Sequence, residues 1–434
     1  MFNLKENQTS VKTEVLAGMT TFLTMVYIVV VNPIILSDAG VPFDQVFTAT
    51  IIATVIGTLW MALSANYPIA IAPGMGLNAY FAYSVVGTNG DIPYSAAFSA
   101  VFIAGIIFII LSLTSFRKQL IETIPSSLKN GITAGIGLFI AFIGLRLTGI
   151  ISDHPTNLVT LGDLHSPSVL LALTGLIITL ILMSLNVHGA LFIGMIVTGF
   201  IAYLTGQLSF ENGFTSLPKL PEGIIVFNPL SAISDVIQYS LYTVVFSFLL
   251  VTIFDTTGTM IGVAKQAGLL KGNKMPRAKK ALLSDSIAAT VGAMFGTSPT
   301  SAYIESSSGV AAGGRTGLTA VVVALLFSLT AFFSPTVGSV SSVAAITAPA
   351  LIIVGSLMMG AISEINWKEL DEAFPSFLVI LSMPLTSSIA TGIALGFISY
   401  PILKLVKGKG KQIHPFLYIF AILFFYQLFF LGGH

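Results

Sequence analysis

Apolar runs of about twenty residues alternate with short polar connections along almost the whole chain. A bilayer's hydrocarbon core, ~30 Å thick, takes a helix of ~20 such residues. The runs predict spans at Val15–Ser37, Val46–Ser64, Ile69–Val86, Ala96–Thr114, Asn130–Thr148, Ser168–Leu185 and Gly189–Thr205. A polar stretch, Gly206–Ser231, then intervenes, with Pro218, Pro221, Gly223 and Pro229 giving it the composition of a loop between halves. A second set follows at Ile233–Ala264, Leu282–Phe295, Ala302–Gly313, Gly317–Ser334, Val343–Ile362, Phe374–Leu385 and Ser388–Val406. A final apolar block, Phe416–Phe430, reads equally as an interfacial helix or an extra span.

Two of these blocks cannot be continuous helices. In Asn66-YPIAIAPGMGLNAYFAYS, Pro68 and Pro73 bracket an Ile-Ala alternation, and Gly74 and Gly76 precede a short helical pattern. Gly296-TSPTSAYIESSSGVAAGG repeats the grammar with Pro299, an extended Ser-Ala-Tyr-Ile, an acid and small residues. Proline removes a backbone donor and pushes the residue before it out of the helical region, so each block predicts a short strand feeding a half-helix. Extended backbone is expected near Ala70–Ala72 and Ser301–Ile304. Each block is the third of its half, the pattern expected of inverted repeats that meet at a midplane site. A second echo, Ile124-PSSLKNGITAGIGLFIAFIGL against Ser334-PTVGSVSSVAAITAPALIIVGSL, points the same way. The halves are 1–205 and 233–434, with a linker at 206–232 on the extracellular or periplasmic side.

Composition agrees: 55% of the 434 residues are hydrophobic and 9% charged, against roughly 25% charged in a soluble domain. The basic residues cluster at Lys5/Lys12, Arg117/Lys118/Lys129, Lys265–Lys280 and Lys404–Lys411, whereas Ile150–Pro167 and Gly206–Ser231 share one lysine. Positive loops face the cytoplasm, which puts the N-terminus inside. The net charge of +1 argues against nucleic acid as a partner, and the absence of cysteine removes disulfides and thiolate chemistry. His154, His165, His188, His414 and His434 have no ligand spacing, so neither metal nor cofactor is expected.

Asp255 and Glu305 lie inside spans. An ionised carboxylate there costs at least ~2.5 kcal/mol on insertion scales, so each should face protein or a water-filled path, the mark of transport or proton relay. Asp285 adjoins the basic loop and reads as a helix-end or salt-bridge residue. Arg146 sits near the outer end of the fifth span, where its stem can snorkel.

Long stretches carry a resemblance: Ala17-GMTTFLTMVYIVVVNP, Ala72-PGMGLNAYFAY, Phe254-DTTGT, Gly296-TSPTSAYIESSSGVAAGGRTGLTA and Pro384-LTSSIATGIALGFISYP. The chain resembles the guanine/hypoxanthine permeases of the purine branch of the nucleobase:cation symporter 2 family. The resemblance implies the uracil-permease fold, an all-α polytopic membrane protein of about fourteen segments in two inverted seven-helix repeats, with core and gate domains. It implies import of a purine base at the cell membrane by symport with protons rather than sodium, Glu305 gripping the base, Asp255 completing the site and Asn78 contributing. Asp255 and Glu305 are then the proton-coupling groups.

The chemistry of a planar base rich in ring N–H and carbonyl groups fits those residues. A Glu305 carboxylate accepts from adjacent N–H donors, backbone at Ala72, Tyr303 and Ile304 meets carbonyls, and Thr256 lies beside Asp255. Phe254, Tyr80, Phe81 and Tyr303 are candidate stacking faces. Asn78 also admits a plainer reading, a cross-link between helices. The alternatives are a pyrimidine or anion carrier on the same fold and, in a different class, an intramembrane aspartyl protease. The chain has no Gly-x-Gly-Asp motif to support the latter. Formation of a homodimer is left open.

Overall fold

The computed structural model describes residues 2–87, 92–114, 124–211, 213–218, 225–270, 275–426 and 428–429, except the side chain of Phe254. Arg117, Lys118, Lys219, Pro221, Gly223, Lys271, Lys274, Phe430 and His434 therefore lie outside the described residues. The chain is mostly helical, in keeping with the expected class. The first half comprises α1 (Val11–Met25), α2 (Ile28–Ser37), α3 (Phe43–Trp60), strand β1 (Ile71–Pro73), α4 (Met75–Ala79), α5 (Tyr94–Leu113) and α6 (Ser126–Thr148). It continues with β2 (Ile151–His154), β3 (Leu158–Leu161), α7 (Pro167–Ser184) and α8 (Ala190–Leu204). The second half holds α9 (Ala232–Gln238), α10 (Tyr242–Gln266), α11 (Ala278–Phe295), β4 (Thr300–Ala302), α12 (Ser306–Ala311) and α13 (Gly317–Thr330). It ends with α14 (Ser334–Ser341), α15 (Ala344–Met358), α16 (Leu370–Thr386), α17 (Ile389–Val406) and α18 (Pro415–Tyr426). Among the described residues, nine helical stretches are long and apolar enough to cross a membrane.

The two interrupted blocks become strands followed by half-helices. β1 pairs antiparallel with β4, Ile71 opposite Ala302, Ala72 opposite Ser301 and Pro73 opposite Thr300. Each half-helix is one or two turns; α4 runs on as a wider π-type stretch, Tyr80–Val86. A two-stranded ribbon at membrane depth leaves edge groups that hydrocarbon cannot satisfy. Hydroxyls and short backbone bonds supply the partners. Thr58 of α3 both accepts from Ile71 N (3.0 Å) and donates to Ile71 O (3.1 Å). Ser306 Oγ accepts from Ala70 N (3.0 Å), Thr256 Oγ1 from Ala302 N (3.3 Å), and Pro299 O from Gly74 N (2.9 Å).

Helix packing divides the spans into two bodies. In one, α11 packs on α3 and α5, α13 on α1 and α3, and α10 on α5 and β4. In the other, α6 packs on α15 and α16, α16 on α17, and α7 on α8 and α15. The bodies touch where α4 meets α6. A Cβ at Gly76 would lie 2.3 Å from Ile136 Cγ2, so with Ile136 opposite, glycine permits this approach.

Two features depart from the expected pattern, and the last apolar block takes a place in the packing. The first span is broken at Val26–Tyr27, one to two turns before Pro33, which has no N–H to donate to a carbonyl one turn back and whose ring crowds that turn. The loop after α6 is a β-hairpin, Ile151 opposite Leu161 through His154 opposite Leu158, so the fold is not purely helical outside the ribbon. The last apolar block forms α18 within the described residues. It packs Phe420 and Phe424 on Phe246 of α10 and Phe397 of α17.

The Lys404–Lys411 cluster also has a structural task. Lys404 Nζ lies 2.8 Å from Asp371 and 2.6 Å from Glu372, and Lys407 lies 3.1 Å from Glu369, stapling the α16–α17 hairpin. These pairs hold Lys407 above and Glu369 below their ordinary pKa ranges.

Candidate functional site

The site is built where the ribbon meets α1–α2 and α10. Glu305 caps the approach to α12, directly after the bend that follows β4, and is partly exposed. Its Oε1 accepts a hydrogen bond from the buried Tyr27 phenol at 2.8 Å. Tyr27 stands in the break between α1 and α2, so the interruption of the first span presents this phenol to an acid in the second half of the chain. Thr24 Oγ1 lies 3.4 Å from Glu305 O. α12 can sit this close to α1 because position 309 is glycine: a Cβ there would be 2.1 Å from Thr21 Oγ1 and 2.6 Å from Ala17 O.

Asp255, midway along α10, points to open space and interacts with the Ser301 hydroxyl of β4. It is near enough to Glu305 for their charges to act on each other. A cavity of about 190 Å³ opens at Asp255, walled by Gly76 and Leu77 of α4, Val251 and Gly258 of α10, Lys129, Thr133 and Ile136 of α6, and Met358. The start of one half-helix, one carboxylate and the opposite body thus share one chamber.

The remaining expected residues separate by task. Asn78 is fully buried; its Nδ2 donates to Asn32 Oδ1 (2.8 Å), and Asn32 Nδ2 donates to Thr50 Oγ1 (2.7 Å) and Thr297 Oγ1 (2.8 Å). This chain of amides and hydroxyls ties α4, α2, α3 and the lead into β4 together, as the cross-link reading anticipates. Asn78 Oδ1 has no hydrogen-bond partner among the described residues. Thr256 does not face the chamber: its buried hydroxyl donates to Asp285 Oδ2 and accepts from Ala302 N. Tyr303 is buried too, donating its OH to Pro73 O (2.5 Å) and its N–H to Ala70 O (3.0 Å), which locks the ribbon. Ala72 is buried within β1. Ile304, 57% exposed, follows β4 rather than belonging to it.

Of the candidate stacking faces, Tyr80 packs edge-on to Phe248 (5.0 Å) and Phe81 against Phe98 (4.5 Å), both fully buried. They are core residues in this conformation. The Phe254 side chain lies outside the described residues.

Asp285 is not at a helix end. It lies in the interior of α11, fully buried, and binds β4 through Thr300 (Oγ1 to Oδ1, 2.7 Å) and through Thr256. A further buried acid, Glu14, accepts from Arg315 N (2.9 Å), Thr319 N (3.1 Å) and Thr319 Oγ1 (2.6 Å) at the start of α13, where a negative charge meets the helix dipole. Tyr27 and Asn32, which hold Glu305 and Asn78, were not singled out from sequence. Both lie within the matched motif Ala17-GMTTFLTMVYIVVVNP, but a phenol or amide in an apolar run reads as packing until its partner is seen. No group of His, Cys, Asp and Glu among the described residues could hold a metal ion.

Comparison with known proteins accords with this architecture. The chain is 70% identical to the guanine/hypoxanthine permease PbuO of Bacillus subtilis over 99% of its own length and 100% of the relative's. It is 48% identical to guanine/hypoxanthine permease PbuG of the same organism, covering 99% of both chains. Against the adenine permease AdeP of Escherichia coli it is 45% identical over 100% of this chain and 96% of that one. Among solved structures, the transmembrane domain of the cyanobacterial bicarbonate transporter BicA superposes with a TM-score of 0.65 at 17% identity, covering 87% and 96% of the two chains. The overall structure of SLC26A9 matches with a TM-score of 0.62 at 13% identity over 92% of this chain and 67% of that one. These two share the fold. The family model Xan_ur_permease, described as Permease family, matches residues 12–395, and the chain belongs to that family: it is a multi-pass membrane permease and not an enzyme.

Proposed function

We propose that the chain imports purine nucleobases, hypoxanthine and guanine first and adenine as a further candidate, by proton symport across the cell membrane. The observation that carries this reading is the placing of Glu305 and Asp255 together at the β1–β4 ribbon, beside a chamber walled by both bodies. With one oxygen held by Tyr27, Glu305 keeps its other lone pairs for adjacent N–H groups of a base. Asp255 takes up and releases the coupling proton. The unpartnered Asn78 Oδ1 is a further acceptor at the half-helix, while Thr256, Tyr303, Ala72 and Ile304 shape the ribbon that presents these groups.

The body containing the ribbon acts as the core and the α6–α8, α15–α17 body as the gate, so that alternating access moves one against the other. The halves 1–205 and 233–434 are the inverted repeats, joined by 206–232, with the N-terminus and basic loops in the cytoplasm. Relatives named for guanine/hypoxanthine and adenine permeation support the purine reading. An anion substrate is disfavoured because two carboxylates repel it.

Uptake of labelled hypoxanthine by cells expressing the chain, competed with guanine, adenine, xanthine and uracil, with and without a protonophore, tests both substrate and coupling. Competition by guanine and collapse with protonophore are expected. Uptake blocked by uracil alone, or indifferent to protonophore, defeats the purine or the proton assignment respectively.

A further inference from the structure

Arg146 has a partner that its place at the end of a span does not suggest. Its guanidinium carbon lies 5.5 Å from the centre of the Tyr83 ring. The Tyr83 phenol in turn donates to Asp38 Oδ2 at 2.5 Å. Arg146 is in the last turn of α6, in one body, whereas Tyr83 lies on the π-type continuation of α4 and Asp38 directly follows α2, both in the other. The adjacent residue makes a second bridge between the bodies: Ser84 Oγ donates to Ser387 O at 2.6 Å. Ser387 is the left-handed residue (φ 50°) that turns the chain from α16 into α17.

We propose that Arg146, Tyr83 and Asp38, with Ser84 and Ser387 beside them, form a latch that shuts the far end of the transport path while the carboxylates are open at the basic-loop end. The proposal rests on the transport reading above. α6 itself supplies the geometry. Its first turns, at Lys129 and Thr133, line the chamber of the exposed Asp255, and its last turn carries Arg146. The seventeen residue steps from Lys129 to Arg146 amount to about 25 Å of helix, close to the thickness of a bilayer's hydrocarbon core. One helix therefore borders an open chamber at one end and a closed contact at the other.

The chemistry suits a contact that must break in every cycle. A cation over a ring face and one hydroxyl-to-carbonyl hydrogen bond, Ser84 to Ser387, are individually weak and re-form readily. The Asp38 carboxylate fixes the ring that Arg146 covers, and its negative charge complements the guanidinium across it. Moving one body against the other lifts Arg146 off the Tyr83–Asp38 pair, which stays together in its own body, and parts Ser84 from Ser387.

The chain has no cysteine, so a single introduced thiol is an unambiguous probe. Ile304, exposed beside Glu305, takes it as Ile304→Cys. Labelling by a membrane-impermeant maleimide is compared between intact cells and inside-out vesicles, with and without Arg146→Met. In the otherwise unchanged protein, labelling is expected from the vesicle side. Arg146→Met should raise labelling in intact cells several-fold, and Arg146→Lys, which keeps a cation over the ring, should raise it less. Should Arg146→Met fail to reach the membrane, Tyr83→Leu removes the same contact. Unchanged labelling of intact cells in whichever variant is expressed overturns the latch. The labelling involves no substrate, so its outcome stands apart from hypoxanthine uptake by the unmodified protein, which tests the purine reading.

Discussion

Tyr27 and Glu305, 278 residues apart in the chain, are joined by a 2.8 Å hydrogen bond from phenol to carboxylate. The bond links the break in the first span to the bend after β4, so the two halves of the chain fix one side chain between them. Removing the donor frees Glu305 to rotate and makes its charge harder to sustain. Hydrogen bonds to charged groups contribute about 1.5–3 kcal/mol. Tyr27→Phe should therefore weaken hypoxanthine affinity by about tenfold or more while leaving the amount of folded protein unchanged. A binding isotherm on purified Tyr27→Phe that overlays the parent's would show the bond to be incidental.

Glu305→Gln tests the carboxylate itself. The amide keeps the shape but turns a donor toward the donors of the base. The loss is about 1.5–3 kcal/mol, or roughly ten- to a hundredfold in affinity. Parent-like binding of hypoxanthine would remove Glu305 from the substrate site.

Asp255→Asn is frozen in a neutral form. If Asp255 carries the coupling proton, the variant should no longer accumulate base against a gradient, while exchange of labelled for unlabelled base across proteoliposomes continues. Uphill, protonophore-sensitive uptake by Asp255→Asn would exclude it from coupling.

Much of this was legible in the sequence for one physical reason. Proline and glycine inside apolar runs are costly unless the backbone is meant to break, so Pro73, Gly76 and Pro299 marked the ribbon before any coordinates did. The acids were legible by the same logic of cost. What the residue pattern does not carry is direction: Thr256 and Asn78 look alike in sequence, yet the Thr256 hydroxyl supports β4, whereas the Asn78 amide joins Asn32 through its nitrogen and keeps only its oxygen unpartnered. Asp285 shows the converse, an acid near a basic loop whose partners include the threonines under the strand.

Asp285 and Asp255 should accordingly respond differently to the same substitution. Asp285→Asn disturbs charge-assisted bonds from Thr256 and Thr300, each contributing about 1.5–3 kcal/mol, and leaves β4 without its support. It should lower the melting temperature in detergent by several degrees and abolish transport. Asp255→Asn, open to the chamber, should melt within a degree or two of the parent. Equal melting of the two variants would contradict the division into a supporting acid and a working one.

The contact between the bodies at Gly76 and Ile136 gives the last prediction. A Cβ at position 76 would lie 2.3 Å from Ile136 Cγ2, but the next nearest atoms, Ile136 Cβ and Cδ1, are at 3.6 and 3.7 Å, ordinary contact distances. The obstacle is thus a single methyl group on the opposite body. Gly76→Ala should slow transport sharply, because it wedges α4 away from α6 beside the Asp255 chamber. Adding Ile136→Ala removes the obstructing atoms and should restore most of the rate, although Ile136→Ala alone leaves a cavity and is mildly harmful. Gly309→Ala offers the contrast. There the close atoms include the backbone carbonyl of Ala17 at 2.6 Å, so truncating the neighbouring Thr21 side chain cannot relieve it. Rescue at Gly76 and its failure at Gly309, measured as initial rates of hypoxanthine uptake, are expected together. A double variant at 76 and 136 no faster than Gly76→Ala would mean that the bodies do not pack there during transport.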